Sequence, residues 1–203
     1  MSIGTDPFAP QPGEAGLTGS LQGRFLIAMP SMQDNRFART VIYMCSHSAE
    51  GAMGLVINKP SDQITFADLL EQLSIESDTP CVPAVPILVG GPVDGGRGFV
   101  LHSSEYDGAS STIQVGDGVR LTATTDVIRA IADGTGPHDK LLALGYAGWE
   151  PGQLEAEIKA NGWLVSDAEP DIIFAPDVEA KWLKALATIG VDPSLLSGEA
   201  GHA

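Results

Sequence analysis

The chain is 203 residues long, with 11 basic and 26 acidic side chains and a formal net charge of −15. That length suits one domain burying roughly 70% of the surface its unfolded chain exposes, with no need of disulfide staples. At 43% hydrophobic and 18% charged the composition excludes wholesale disorder, and 24 glycines with 14 prolines argue against long helices or coiled coils.

Residues 1–20 carry no Lys or Arg and are broken by Pro7, Pro10, Pro12, Gly13, Gly16 and Gly19. They read as a disordered tail and not as a signal peptide, leaving a single domain over 21–203. Apolar runs such as 85–89 fall far short of the ~20 residues a spanning helix needs, so a cytoplasmic protein is expected. Cys45 and Cys81 read as reduced thiols in that compartment, with one bridge left open.

In chain order, Arg24–Ala28 predicts a first strand closed by Pro30, and Thr40–His47 a second, apolar on both faces and therefore central. Gly51 and Gly54 bracket a turn into a strand over Leu55–Asn58, making a hairpin. Thr65 with Asp68 three residues on caps a helix carrying Phe66, Leu69, Leu70 and Leu73. Strands follow at Val85–Val89 and Gly98–His102, and Gly116–Asp117–Gly118 joins a hairpin of Thr112–Val115 with Val119–Thr122. Asp126–Ala132 predicts a short helix, Leu141–Tyr146 a buried strand, and Pro151 opens a helix closed by Asn161–Gly162. Ile172–Phe174 reads as a last strand. Asp177 caps a final helix whose apolar stripe is Val178, Trp182, Leu186 and Ile189. Hairpins without strict β-α alternation define the α+β class.

Several constellations bear on chemistry. The segment Gly90–Gly98 holds Gly95, Gly96 and Arg97; it is either a plain turn between strands or a backbone nest for an anion with Arg97 beside it. The polar stretch 30–39 sets Phe37 between Arg36 and Arg39, which are either solvated or anion-binding. Cys45 and His47, two apart on a strand, share a face; they form either a nucleophile pair or a core thiol with an imidazole at the strand's wet end, and His102 ends its strand similarly. Zinc spacings and a Gly-x-Ser-x-Gly elbow are both missing, so no metal, cofactor or catalytic residue is assigned. Charge separates possible partners. Residues 60–203 carry seven basic and 22 acidic side chains, whereas 24–59 carry four basic and two acidic. A small anion can meet the basic stretch, while the acidic body repels nucleic acid.

The blocks Gly23–Pro30, Phe37–Tyr43, Glu50–Pro60, Gly90–Val93, Arg97–His102 and Leu144–Trp149 resemble the AlgH/YqgE family in unbroken order. So do Gly152–Glu155 and Asn161–Leu164, and the likeness spans about 21–200. The resemblance implies a bacterial cytoplasmic protein with a bifurcated, largely antiparallel β-sheet folded into a pseudo-barrel with flanking helices. It brings no catalytic residues; one branch of the family carries a transcriptional-regulator label from genetics. Two functions are therefore expected to compete. One is a regulatory protein binding a protein or small-molecule partner and acting indirectly on transcription. The other is a hydrolase or nucleotide-processing enzyme in which Arg36, Arg39 and the Gly90–Gly98 loop form one anion pocket.

Overall fold

The computed structural model describes residues 19–76, 84–107 and 111–196; Cys81 and residues 1–18 of the N-terminal tail lie outside them. The described residues form β1 (Arg24–Ala28), β2 (Val41–Ser48), β3 (Gly51–Val56), α1 (Phe66–Gln72), β4 (Ile87–Val89), β5 (Val93–Ser103), β6 (Thr112–Gly116) and β7 (Val119–Thr122). Then come α2 (Thr125–Ala132), β8 (Lys140–Trp149), α3 (Gln153–Lys159), β9 (Trp163–Asp167), α4 (Pro170–Ile173), α5 (Lys181–Thr188) and α6 (Pro193–Leu196).

The strands run β6-β7-β5-β8-β3-β2-β1-β9, antiparallel throughout, with β4 added in parallel to β8. The sheet forks along β8. One edge of β8 pairs with β5, while the other pairs first with β4 through Leu142–Leu144 and then with β3 through Ala147–Trp149. At the fork Gly145 has φ +73°, and a Cβ there would stand 2.6 Å from the Gly91 carbonyl oxygen. A Cβ on Gly90 would stand 2.3 Å from the Gly145 oxygen. Only glycine lets the two backbones approach so closely.

The sheet curls into a half-barrel, and the far end of β6 returns to β1 and β2, where Gln22 Nε2 donates to the Gln114 carbonyl at 3.5 Å. Because successive side chains alternate, the central strands feed two cores. Phe25, Ile27, Val41 and Tyr43 point into the barrel with Trp182 and Leu186 of α5. Leu26, Ala28, Ile42 and Met44 point outward under α3 with Trp149 and Trp163. A third core packs α1 and α2 on Val100 and Leu142.

The Thr65–Asp68 capping box forms as expected: Thr65 Oγ1 accepts from Asp68 N–H at 3.2 Å, and Asp68 Oδ2 accepts from Thr65 N–H at 2.8 Å. Other expectations are corrected. Gly51–Gly54 is strand, not turn. Ile172–Phe174 is not a strand: Pro170 opens α4, and the Glu169 carbonyl accepts from Ile172 and Ile173 at 2.9 and 3.0 Å. The strand at this end is β9, which pairs with β1 over all five residues from Arg24↔Asp167 to Ala28↔Trp163. Asp177 accepts from Ala180 N–H at 3.1 Å in a turn that precedes α5.

Candidate functional site

The sequence singled out three arginines, and the fold sends them to three concavities. Arg36 is engaged by Asp34 through Nη2–Oδ2 at 2.8 Å and Nε–Oδ1 at 3.1 Å. That pair holds the Asp34 carboxyl below the usual carboxylate range. Arg36 lines a cavity with Asn58, Lys59 and Glu179, where Lys59 Nζ donates to the Arg36 carbonyl at 2.8 Å.

Arg39 differs in kind. Its backbone is left-handed, φ +54°, a conformation costly for a side chain of this size. Buried Asn58 enforces it: Asn58 Nδ2 donates to the Arg39 carbonyl at 2.8 Å while its Oδ1 accepts from Val41 N–H at 2.8 Å. The guanidinium carbon lies 5.6 Å from the centre of the Trp182 ring, a cation–π distance. Trp182 is itself fixed, its Nε1–H donating to the Ala28 carbonyl at 2.9 Å. Arg39 lines a cavity of about 520 Å³ with Pro30, Glu179, Trp182 and Leu183. Among the described residues no carboxylate or carbonyl pairs with its guanidinium.

Arg97 lies 5.2 Å from the Phe99 ring centre and lines a wider concavity of about 710 Å³ with Ser46, Ser48, Glu50 and Glu150. The Arg36 and Arg39 cavities share Glu179 as a wall, whereas the Arg97 concavity shares no lining residue with either. A common pocket for all three is therefore not formed. The Gly90–Gly98 loop is likewise no free nest. Gly90 donates to the Leu144 carbonyl at 2.7 Å and accepts from Val56 N–H at 2.8 Å, and from Val93 the segment is β5 with an irregular register against β8. Gly95 and Gly96 lie exposed on that strand, with nothing within 4 Å of an added Cβ.

Cys45 and His47 do not share a face. The β2–β3 register shifts between Met44 and Ser46, and this bulge at Cys45 reverses the alternation. Cys45 packs into the barrel core, where burial pushes its thiol up to about 12. His47 turns outward: its Nδ1 accepts from Leu21 N–H at 3.0 Å, and its Nε2–H donates to Glu155 Oε1 at 2.9 Å. His102 is not at a wet strand end but fully buried. Its Nδ1–H donates to the Ser103 carbonyl at 3.0 Å, so Nε2 accepts from the Thr122 hydroxyl at 2.8 Å, and Thr112 in turn donates to Thr122 at 2.7 Å. Burial lowers its pKa and keeps the ring neutral.

Two polar groups with buried roles were not singled out from the sequence. Glu157 Oε2 accepts from both Trp149 Nε1–H, at 2.9 Å, and Trp163 Nε1–H, at 2.8 Å, pinning α3 to β8 and β9. Lys181 is 1% exposed, its Nζ donating to the Ile57 and Ile173 carbonyls at 3.1 and 2.6 Å. Its signal was present: Lys181 falls three residues after Val178, on the apolar face of the stripe.

A half-barrel flanked by helices, with arginine-lined cavities, defines a small domain of mixed helix and antiparallel sheet. The chain belongs to the AlgH-like family (DUF179), whose model matches residues 25–194. It is 54% identical over 198 residues to a UPF0301 protein of Methylobacterium sp. strain 4-46, covering 95% of this chain and 94% of the relative. A UPF0301 protein of Bradyrhizobium diazoefficiens is 55% identical over 198 residues, covering 95% and 92%. The solution structure of the AlgH protein from Pseudomonas aeruginosa is 46% identical and superposes with a TM-score of 0.72 over 92% of this chain and 97% of that one. A crystal structure from Corynebacterium diphtheriae, 24% identical, shares the fold with a TM-score of 0.69 over 88% and 92%.

Proposed function

We propose that this chain is a ligand-binding protein with a regulatory role exerted indirectly, and that the ligand is a small anion received by Arg39. One observation carries the reading: a guanidinium placed by a strained backbone and an aromatic ring, lining a cavity in which no carboxylate among the described residues pairs with it. Strain of this kind costs on the order of 1–3 kcal/mol and persists only where the surroundings enforce it, here through Asn58. A preorganised guanidinium loses little side-chain freedom on binding and offers a planar fork to carboxylate or phosphate. Glu179 on the cavity wall and the acidic body oppose a long polyanion, which favours a compact ligand.

The test is thermal-shift screening of nucleotides and phosphorylated metabolites against wild type, Arg39→Ala and Arg97→Ala. Stabilisation by a ligand should vanish in Arg39→Ala, a loss of ~1.5–3 kcal/mol for a charged hydrogen bond, and persist in Arg97→Ala. Loss in Arg97→Ala alone moves the site to the wider concavity. No stabilisation by any anion rejects the reading.

A further inference from the structure

Helix α5 covers the concave face of the sheet at the end of β1 and β3, where Trp182 donates to the Ala28 carbonyl and Lys181 to that of Ile57. At the opposite ends of the same sheet, Ser46 of β2 and Met53 of β3 line the open concavity of about 710 Å³. Its floor of Met53, Phe99 and Tyr146 is continuous with the barrel core. Barrel mouths of this size are common ligand sites.

A strand edge lies unpaired here. β5 leaves β8 between Gly98↔Leu144 and Val93↔Tyr146, where five residue steps of β5 stand against two of β8 and Asp94 is left-handed at φ +48°. Past Tyr146 no strand among the described residues pairs with β8 on this side, and Ala147–Trp149 pair only with β3 on the other. The Trp149 carbonyl points toward β3, its oxygen 2.6 Å from where a Cβ on Gly51 would stand. Backbone groups alternate between the two edges of a strand, so the N–H and C=O of Gly148 point to the unpaired edge. Gly148 is exposed and lines the concavity, and Val93 stands in line with the open lane beside it.

The rim charges follow that lane. Arg97, stacked on Phe99, lines its β5 end, while Glu150 ends β8 and Glu50 sits on the neighbouring β2–β3 turn. All three are exposed, and among the described residues none of these side chains takes part in an ion pair or a hydrogen bond. From Ala147 to Glu150 is ~10 Å of strand.

We propose that this edge takes the extended C-terminal segment of a partner polypeptide, paired antiparallel to β8 in line with β5. Its main chain meets Gly148, and its terminal carboxylate, stopped by Val93, meets Arg97. A Lys or Arg about three residues upstream meets Glu50 and Glu150, and an apolar side chain between them packs on Met53 and Tyr146. Main-chain pairing at a sheet edge is a recurrent mode of peptide recognition, with side-chain contacts setting the sequence preference. The antiparallel direction brings the carboxylate to the arginine, whereas the parallel one would set it against two glutamates. The site shares no lining residue with the Arg39 cavity.

The experiment is an amide NMR titration of the full chain with the peptide acetyl-Thr-Lys-Thr-Val-Val. Saturable shifts should centre on Gly148, Trp149 and the Arg97 Nε–Hε signal. Solvent exchange of the Gly148 amide should slow at least ~tenfold at saturation, which contact with the floor alone would not produce. The C-terminal amide of the peptide, and the peptide with Glu in place of Lys, should each bind at least ~tenfold more weakly, the loss expected for one charged contact. Arg97→Ala should bind acid and amide alike, and Arg39→Ala should match wild type. Absence of binding, shifts centred elsewhere, an unchanged Gly148 exchange rate, or equal binding of acid and amide by wild type each overturns the proposal.

Discussion

At the scale of single residues, burial decides what each ionisable group can do. The Lys181 ammonium is pushed down to about 8 from 10.5, chiefly by desolvation and secondarily by the Lys184 charge. The unfolded chain therefore binds more protons than the folded one between those values, so stability rises with pH there. The penalty is fully present below pH 8 and amounts to about 3 kcal/mol at 1.36 kcal/mol per unit. Cys45, raised to about 12 from 9.0, and Tyr43, raised by burial, act oppositely, because the unfolded chain loses their protons first. Urea unfolding should thus show wild type gaining stability from pH 8 to 9, where the Lys181 gain outweighs the onset of the Cys45 loss, and Lys181→Met losing that rise. The same burial makes Cys45 unreactive. A thiol reagent should label it slowly in the native state and promptly after denaturation; Cys45 and Cys81 are told apart by peptide mapping.

At the scale of elements, backbone proximity and one carboxylate fix the arrangement. Gly145→Ala would place a Cβ 2.6 Å from the Gly91 oxygen at φ +73°. It should cost at least ~1–3 kcal/mol by urea unfolding. Glu157→Ala should destabilise more than Glu157→Gln, since one glutamine carbonyl can still accept from both indoles while alanine leaves them unpaired. The elements legible in the sequence were those with local signals. Arg24–Ala28 showed continuous apolar content, Thr65–Asp68 a cap, and Gly116–Gly118 a hairpin turn. Trp163–Asp167 carried no such signal, because it is a strand by virtue of pairing with β1, 135 or more residues away in the chain. Ile172–Ile173 misled because β-branched residues bury equally well in one helical turn. The bulge that separates Cys45 from His47 depends on the register of β3, which spacing along β2 cannot reveal. The arginines were legible as chemistry but not as geometry, since each cavity is assembled from distant segments.

For the whole molecule, charge governs the choice of partner. With a net charge of −15, direct DNA binding should be negligible: anisotropy with random duplex at ~150 mM salt should show none of the ~10⁻⁴–10⁻⁶ M binding typical of non-specific contacts. Regulation by this chain would then pass through a ligand, and the account rests on Arg39 as the cation that receives it. The most direct measurement follows the side-chain Nε–Hε signals of Arg39 and Arg97 and the indole signal of Trp182 as an anion found by thermal shift is titrated in. The account predicts saturable shifts at Arg39 and Trp182 with Arg97 unmoved. Saturable shifts at Arg97 with Arg39 and Trp182 unmoved would contradict it.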